Sequence, residues 1–301
     1  MLDHQFPPLI YQVASAGLEP SSISFPFRRI FQGKDDFFFR MAKVEAVDTA
    51  AKKIQTSVGE IRYDYLVLAA GAKTNYFGNK DIEATTLPMK TVGEAMRLRN
   101  TILRNLEKAE TEDDPARKQA LMNIVVVGGG ASGVEIAGAV AEMKKNILER
   151  DYPDLEASQM HIYLVNAADR LLSAMDPASS ARAECDLKEL HVHIRQPQFA
   201  TEYKDGILKT SAGLEIPAET VIWVSGICAN TIEGLPKESI GHAGRILTDR
   251  FCRVKGLQDV YAIGDQSLIE GDKEYPLGHP QLAQVALQQA KCVAQNLKNQ
   301  L

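Results

Sequence analysis

A glycine-rich segment follows a short apolar run near the middle of this 301-residue sequence. Gly128, Gly130 and Gly133 have G-x-G-x-x-G spacing and come directly after the apolar residues Ile124–Val127. In this context the first glycine permits a tight turn, the second lets a pyrophosphate approach the backbone, and the third lets a helix pack closely on the strand. The sequence therefore predicts a dinucleotide site; the alternative is a glycine-rich turn that only allows close packing.

The helix predicted after this turn supplies the rest of the phosphate site. Its first turn contains Ser132, Val134 and Glu135, and the N–H groups at a helix N-terminus carry a partial positive charge and have no partner inside the helix. We therefore expect these three residues to lie beside the dinucleotide. On position alone, Glu135 is a carboxylate that complements the helix dipole.

Asn166 ends the second strand of the same unit, where a carboxylate commonly binds the adenosine ribose. An amide still hydrogen-bonds a hydroxyl group, but it does not repel a 2′-phosphate. Arg170 lies close by in the sequence and is able to meet such a phosphate, although a solvated surface arginine is its simpler interpretation. These residues weaken the preference for NADH over NADPH, so the glycine motif by itself predicts a dinucleotide without deciding between the two.

The histidines and cysteines do not predict a metal site. His191 and His193 alternate onto one strand face, but no cluster of carboxylates or cysteines accompanies them, so we predict no bound metal. The four cysteines are widely spaced and include no C-x-x-C pair: Cys185, Cys228, Cys252 and Cys292. We interpret them as reduced thiols rather than as a zinc ribbon or a redox pair on one loop.

Hydrophobic periodicity places the glycine turn inside one β-α-β unit, with strands over residues 124–127 and 162–165 and a helix over about residues 132–149. Further strands are predicted over residues 191–195, 200–203, 207–210 and 220–224. Before this unit we predict strands over residues 38–44, 53–56 and 65–69, the last fully buried and parallel, a turn at Gly59 and Glu60, and a helix over residues 91–110. After it we predict a strand over residues 260–265 and a helix over residues 280–301.

The composition is that of a globular protein, with 45% hydrophobic and 24% charged residues. The net charge of −5 gives no electrostatic attraction to nucleic acid or anionic lipid. The sequence contains neither a run of about eighteen apolar residues, as a membrane span requires, nor the basic and apolar start of a signal peptide. We therefore exclude a nucleic-acid partner and expect a cytoplasmic protein of two domains.

Beyond the glycine motif, the sequence resembles the type II NADH dehydrogenases, the non-proton-pumping NADH:quinone oxidoreductases of the pyridine nucleotide–disulfide oxidoreductase superfamily. The resemblance covers nearly the whole chain and is carried by residues 8–17, 65–71, 74–78, 128–138, 260–265 and 283–289. The first and last of these segments are the most specific, because they are peculiar to the quinone-reducing branch.

The resemblance implies an α/β fold with two Rossmann-like dinucleotide-binding domains, one for FAD and one for NADH. The NADH-binding domain, residues 119–232, would be inserted into an incomplete FAD-binding domain formed by residues 1–118 and 233–301. The first phosphate-binding strand and turn of the FAD domain, and a C-terminal segment that holds the enzyme on the membrane, would lie outside this sequence. We therefore interpret the chain as truncated at both ends.

The resemblance also assigns residues to FAD and NADH. Gly264 and Asp265 would bind FAD, with Ala70 and Gly71 near its adenine end, and Gly226 would approach NADH. Without the resemblance, Asp265 has the plainer interpretation of a helix N-cap.

Three residues are implied to be catalytic. Glu135 would face the junction of nicotinamide and flavin. Gln284 and Gln288 would line a quinone pocket beside the flavin, with Gln12 and Ser15 close by, and Gln284 would also contact FAD. Because Gln284 and Gln288 are four residues apart on one helix face, a solvated helix face is the alternative.

The implied function is electron transfer from NADH through the flavin to a quinone. The full-length enzyme would lie peripherally on the inner face of the cell membrane and form a homodimer. Two alternatives stay open: a sulfide:quinone-type or thiol- or ferredoxin-linked reductase of the same superfamily, which needs a redox-active cysteine near the flavin, and a non-catalytic NAD(P)-binding fragment.

Overall fold

The computed structural model describes residues 2–300, and these residues divide into two compact units. The parallel-sheet unit consists of Asp3–Gln32 and Thr74–Gly226, and the small-sheet unit consists mainly of Gly33–Lys73 and residues 227–300. By compactness, residues 74–118 belong to the parallel-sheet unit, whereas the sequence analysis assigned them to the first part of the FAD domain. The predicted bounds assign each segment to the cofactor it binds, whereas the two units are defined by compactness. The predicted bounds therefore stay a prediction.

The elements of both units follow one another along the chain. The strands are β1 (Asp3–Gln5), β2 (Ser24–Pro26), β3 (Val44–Asp48), β4 (Lys53–Thr56), β5 (Gly59–Arg62), β6 (Leu66–Leu68), β7 (Ala72–Thr74), β8 (Leu87–Pro88), β9 (Ile124–Val127), β10 (Ile162–Val165), β11 (Val192–Arg195), β12 (Ala200–Lys204), β13 (Ile207–Thr210), β14 (Glu215–Pro217), β15 (Thr220–Trp223), β16 (Ile227–Ala229), β17 (Ile246–Thr248), β18 (Val260–Ala262) and β19 (Ser267–Ile269). The α-helices are α1 (Ile10–Ala14), α2 (Phe27–Ile30), α3 (Lys80–Thr85), α4 (Val92–Glu110), α5 (Pro115–Met122), α6 (Ala131–Met143), α7 (Glu149–Asp151), α8 (Pro177–Glu189) and α9 (Ala283–Gln300). A π-helical turn over Lys144–Leu148 continues α6 into α7.

A five-stranded parallel sheet in the order β11-β10-β9-β15-β8 forms the centre of the parallel-sheet unit. All residues of β9 and β15 are buried, as expected for strands covered on both faces. Ile124 and Val126 pack with α4 and α6 in one core, whereas Val125 and Val127 pack with β12, β13 and β14 in the other. The carboxyl ends of β9, β10 and β15 therefore meet at one edge of the sheet, which is where ligands bind in open α/β sheets.

The predicted β-α-β unit and the predicted helix over residues 91–110 are confirmed. Thr91 caps α4 in a capping box: its hydroxyl accepts a hydrogen bond from Glu94 N, and the Glu94 carboxylate accepts one from Thr91 N. The helix after the glycine turn extends as far as predicted, but its hydrogen-bonding pattern changes at Lys144, where the π-helical turn begins.

The small-sheet unit contains an antiparallel sheet, β3-β4-β5, and the parallel pairs β6–β18 and β17–β19. The predicted strand over residues 38–44 is wrong, because residues 37–43 lie outside any strand and β3 begins at Val44. Phe38 is 76% exposed, so its side chain gains little of the packing that stabilises aromatic residues in strands. The predicted turn also lies earlier, at Ser57 and Val58, since Gly59 already begins β5.

Strand β6 is parallel to β18, as predicted, but it is not fully buried. Leu66 and Leu68 face the core of the small-sheet unit, whereas Val67 points to the opposite side and is 39% exposed. Side chains alternate between the two faces of a strand, so an apolar run shows that the strand is apolar but not that both of its faces are covered.

Candidate functional site

The glycine turn has the close contacts that each glycine was expected to permit. Gly128 has φ +122°, and a Cβ there would lie 2.6 Å from Val224 O; a Cβ on Gly133 would lie 1.7 Å from Gly128 O. Gly130 differs from both, because no protein atom lies within 4 Å of a Cβ built on it. Two glycines are therefore needed because other parts of the protein lie against them, Val224 at Gly128 and the turn itself at Gly133, and the third faces open space.

That open space adjoins the N-terminus of α6. Gly130 is the N-cap residue, and no side chain caps the helix there; the first intrahelical bond that follows it runs from Val134 N to Gly130 O at 3.0 Å. Ser132 is exposed in this first turn. The helix N-terminus is able to bind an anion, since its N–H groups and its dipole both favour negative charge.

Glu135 follows Val134 in the first turns of α6. The side chain is exposed as a whole, yet partial desolvation by the surrounding protein raises the pKa of its carboxyl group above the ordinary value. A glutamate with a raised pKa is better suited to hold a proton near neutral pH than an unperturbed one.

Asn166 lies at the end of β10, where it was predicted to bind the ribose, but its side chain is 7% exposed and bonded within the protein. Its Nδ2 donates to Ala168 O at 3.0 Å, Arg170 O at 3.1 Å and Gln196 Oε1 at 3.1 Å. A Cβ on Gly129 would lie 2.4 Å from Asn166 Cγ. Asn166 thus packs directly against Gly129 of the glycine turn. Its role toward a dinucleotide stays a prediction.

Arg170, the candidate for a 2′-phosphate, donates through Nη2 to Ser173 O at 2.8 Å. Its Nη1 is buried without a hydrogen-bond partner. The side chain is therefore held against its own loop rather than extended into solvent, unlike the surface arginine considered from the sequence.

An apolar cavity of about 440 Å³ opens at the carboxyl ends of the same strands. Val127, Val165 and Trp223, the last residues of β9, β10 and β15, line it together with Phe77 and Phe199. The two phenylalanines are 68% and 56% exposed, so they present aromatic surface to any ligand at this edge. Sequence reasoning gave neither phenylalanine a role, and the only signal was the inclusion of Phe77 in the family-like segment of residues 74–78.

Gly226, predicted to approach NADH, lies beside Phe77 in the parallel-sheet unit. A Cβ on Gly226 would contact Phe77 Cζ at 3.4 Å, and Gly226 O accepts a hydrogen bond from Asn75 N at 3.0 Å. Trp223 Nε1 donates to Asn75 O at 2.9 Å, and its ring stacks on Tyr76 with centroids 6.1 Å apart. The segment containing Asn75, Tyr76 and Phe77 is thus fixed to the end of β15.

In the small-sheet unit, the predicted FAD residues follow the two paired strands β6 and β18. Ala70 and Gly71 come after β6, and Gly264 and Asp265 after β18, so parallel pairing brings them to the same edge. Gly71 has φ +65° and no protein atom within 4 Å of a Cβ built on it, whereas a Cβ on Gly264, at φ +70°, would lie 3.6 Å from Ala286 Cβ.

Buried amides that sequence reasoning missed hold this edge. Gln266, which is fully buried, accepts from Ala70 N at 2.9 Å and donates to Asn230 O at 2.8 Å. Asn230 Nδ2 donates to Ala70 O at 2.8 Å. Gln289 Oε1 accepts from Gly264 N at 2.6 Å. No local sequence pattern predicts these contacts of Gln266, Gln289 and Asn230, so only the fold identifies them.

The predicted quinone residues belong to two different units. Gln284 and Gln288 are exposed on α9 of the small-sheet unit, and it is their neighbour Gln289 that faces the protein. In the parallel-sheet unit, Ser15 is buried and its hydroxyl donates to Gln12 O at 3.4 Å, while Gln12 Nε2 donates to Tyr11 Oη at 3.1 Å. The functional roles of all four stay predictions.

Along residues 2–300, no group of three or more histidine, cysteine, aspartate or glutamate side chains is arranged to hold a metal ion. His193 Nε2 instead lies 3.4 Å from His161 Nδ1, a pairing of β11 with the start of β10 that sequence reasoning missed. In the same part of the chain, no helix has the length and apolar character needed to cross a membrane.

Comparison with known proteins assigns the chain to a family. The model of the family described as pyridine nucleotide-disulphide oxidoreductase matches residues 4–290. Two type II NADH:quinone oxidoreductases of Mycobacterium tuberculosis, NdhA and Ndh, are each 30% identical to this chain over 98% and 99% of its length. The chain spans 64% and 65% of the length of these two relatives.

Solved structures share the fold. The NDH2 of Plasmodium falciparum in complex with NADH superposes with a TM-score of 0.82 at 21% identity, covering 89% of this chain and 58% of that one. The sulfide:quinone oxidoreductase of Aquifex aeolicus gives a TM-score of 0.79 at 18% identity, covering 100% of this chain and 69% of the other. At these identities the likeness concerns the fold alone, and it confirms the predicted α/β class with Rossmann-type domains. Because the family model matches almost the whole chain, the protein belongs to the pyridine nucleotide-disulphide oxidoreductase family.

Proposed function

We propose that this chain is part of an FAD-dependent oxidoreductase that transfers electrons from NADH to a quinone. The observation that carries the proposal is the glycine turn: Gly128 and Gly133 are closed by protein contacts, whereas Gly130 faces open space at an uncapped helix N-terminus. Such an arrangement fits the pyrophosphate of a dinucleotide. The relatives named as NADH:quinone oxidoreductases support the choice of substrates.

The residues of the small-sheet unit fit FAD in part. The open left-handed position at Gly71 and the strand end at Gly264 and Asp265 suit a bound dinucleotide close to the backbone. Among residues 2–300 of this unit, no strand leads through a glycine turn into a helix as β9 leads into α6. When bound, FAD supplies the chemistry of accepting hydride equivalents from NADH and passing electrons on.

The protein's own contribution would be binding, orientation and control of protons. Gly130 and the first turn of α6 would bind the pyrophosphate, and Phe77 beside Gly226 would provide an aromatic surface. Glu135, whose pKa is raised by desolvation, would take up a proton more readily than an ordinary glutamate. Gln284 and Gln288, exposed on α9, would donate hydrogen bonds to quinone oxygens.

The flavin content of the purified chain tests the proposal. We expect a visible flavin absorption band that bleaches on anaerobic addition of NADH and returns on addition of a water-soluble quinone. Glu135→Gln should retain the flavin and slow the bleaching at neutral pH. A chain that retains flavin but is not bleached by NADH would contradict the proposal.

A non-catalytic NAD(P)-binding fragment is the second candidate, and one observation favours it. The glycine-turn unit has a complete β-α-β arrangement and its own apolar cores, whereas the parallel pair β6–β18 leaves Val67 exposed. A colourless chain that still binds NADH would support this candidate over electron transfer.

For the intact protein we also propose peripheral attachment to the inner face of the cell membrane and formation of a homodimer. Both expectations come from the family resemblance. Flotation with lipid vesicles and light scattering of the intact protein test them, and a monomer that stays free of vesicles would contradict both.

A further inference from the structure

Two cysteines that are distant in sequence lie near each other in the small-sheet unit, one in a turn and the other on the helix that packs on it. Cys252 lies in a tight turn, where its N–H donates to Asp249 O at 3.0 Å and its carbonyl accepts from Ala262 N at 3.0 Å. Cys252 is 1% exposed and has φ +64°. Cys292 lies on α9 and is partly exposed.

Contacts around the pair show that α9 packs over this turn. Asn296, one helical turn beyond Cys292, has its Nδ2 3.5 Å from Cys292 Sγ and 3.5 Å from Phe251 O. Cys252 packs in one apolar cluster with Val293. Val293 is the residue after Cys292, and Asn296 contacts both Cys292 Sγ and the residue before Cys252, so the two cysteines lie close to each other where α9 packs on the turn. Cys292 is also one of the groups that raise the pKa of Cys252, which agrees with this proximity.

We propose that Cys252 and Cys292 form a reversible disulfide bond, which makes this pair a redox-modification site of the small-sheet unit. Two S–H bonds break and one S–S bond forms, while two electrons and two protons pass to an oxidant. With a low-molecular-weight disulfide as the oxidant, Cys292 attacks first and releases one thiol, and Cys252 then attacks the mixed disulfide and releases the second. A bond here ties the middle of α9 to the turn before β18.

Accessibility and ionisation set the order of these steps. Cys292 is the partner that an oxidant reaches, because Cys252 is buried. Burial first, and then Cys292 and Asp249, raise the pKa of Cys252 to about 12, so its thiolate is scarce at neutral pH. The closing step should therefore accelerate by about tenfold per pH unit below that pKa.

Oxidation of the folded chain with diamide, followed by alkylation of free thiols and peptide mapping without reductant, tests the proposal. We expect a peptide in which Cys252 is linked to Cys292, its loss on addition of dithiothreitol, and a thermal unfolding midpoint several degrees higher in the oxidised sample. The same link should form in a Cys185→Ser/Cys228→Ser variant, since neither of these cysteines takes part.

Cys292→Ser serves as the matched negative control, because it changes only the partly exposed partner. It should abolish the linked peptide and the rise in the unfolding midpoint. The inference is overturned if Cys252 and Cys292 are both alkylated after diamide treatment of the folded protein, or if the linked peptide appears only under denaturing conditions. Neither result depends on flavin, NADH or activity, so the disulfide and the proposed function are tested independently of each other.

Discussion

At the scale of single residues, the structure separates glycines that the motif treats alike. Gly133 is needed because its hydrogen faces the Gly128 carbonyl, and Gly128 because its own hydrogen faces Val224. Gly130 has no such contact within the protein. Its requirement must therefore come from the ligand, which distinguishes a binding position from packing positions.

This difference predicts that alanine at Gly130 impairs NADH binding, whereas alanine at Gly133 impairs stability. Gly130→Ala should leave stability unchanged, since its φ of −76° suits alanine, and should weaken NADH binding by at least about tenfold because the methyl group occupies the phosphate's space. Gly133→Ala should lower the free energy of unfolding by about 1–3 kcal/mol or more through overpacking. Thermal unfolding and NADH titration of both variants provide the check; equal loss of stability in the two would show that the space beside Gly130 is not a ligand site.

Asn166 gives a second prediction at this scale. Asn166→Asp introduces a carboxylate at the position where many dinucleotide sites bind the ribose. We expect it to destabilise the protein as well as to change the preference for NADH, because the Asn166 Nδ2 donates to Ala168 O and Arg170 O. Aspartate would place an oxygen against those carbonyls and cost about 1–3 kcal/mol of unfolding free energy.

The matched control for that change is Asn299→Asp. The Asn299 side chain accepts a hydrogen bond from Gln295 Nε2 in an exposed part of α9, and a carboxylate can also accept it. Urea unfolding compares the two variants, and an Asn166→Asp variant as stable as the Asn299→Asp variant would contradict the supporting role assigned to Asn166.

At the scale of elements, the edge of the parallel sheet contains a titratable pair. His161 precedes β10 and His193 lies in β11, with ring nitrogens 3.4 Å apart. Burial lowers the pKa of both rings, assisted by Lys144 at His161 and by His161, Arg195, Lys144 and His191 at His193. The folded state therefore binds protons at these rings less readily than the unfolded chain.

This shift predicts how stability depends on pH. The unfolded histidines take up protons near the ordinary value of 6.5, while the folded ones do so only at lower pH. The contribution of these two histidines to the free energy of unfolding should thus be complete above that value and should decrease as the pH drops below it. Urea unfolding from about pH 8 to pH 5 should show this loss, and His193→Gln should reduce it; an unchanged slope in His193→Gln would rule out this pair as its source.

At the scale of the whole molecule, the chain consists of two compact units whose candidate sites differ in completeness. The parallel-sheet unit contains a glycine turn, an uncapped helix N-terminus and an aromatic cavity at one sheet edge. The small-sheet unit presents strand ends held by buried amides, without a second glycine turn among residues 2–300. We therefore expect NADH to bind to the parallel-sheet unit and to stabilise it more than the small-sheet unit.

A ligand that binds only the folded state stabilises it, by about 2.7 kcal/mol at a hundred times its dissociation constant. We expect NADH to raise the thermal unfolding midpoint even in preparations without flavin, and to slow amide exchange in β9 and α6 more than in β3, β4 and β5. Gly130→Ala should reduce both effects at the same NADH concentration. Uniform protection of both units by NADH would contradict a site confined to the glycine turn.

The sequence by itself determined the β-α-β unit and the positions of its glycines, because these depend on local periodicity and on backbone conformations that only glycine tolerates. The α/β class of the whole chain was implied by the family resemblance. The sequence also placed α4, whose apolar stripe and capping residue lie within one continuous segment. It failed at residues 38–44, where an aromatic run suggested a strand, since strand formation depends on a neighbour that the local pattern does not reveal.

Only the tertiary structure decided which polar side chains face inward and what they contact. Gln266 and Gln289 hold the candidate FAD edge, Asn166 lies against Gly129 and bonds to Gln196, and Cys252 packs against α9 next to Cys292, 40 residues later in the sequence. Each of these contacts joins segments distant along the chain. Pairing of that kind is set by the packing of whole elements, so no local pattern could have revealed it.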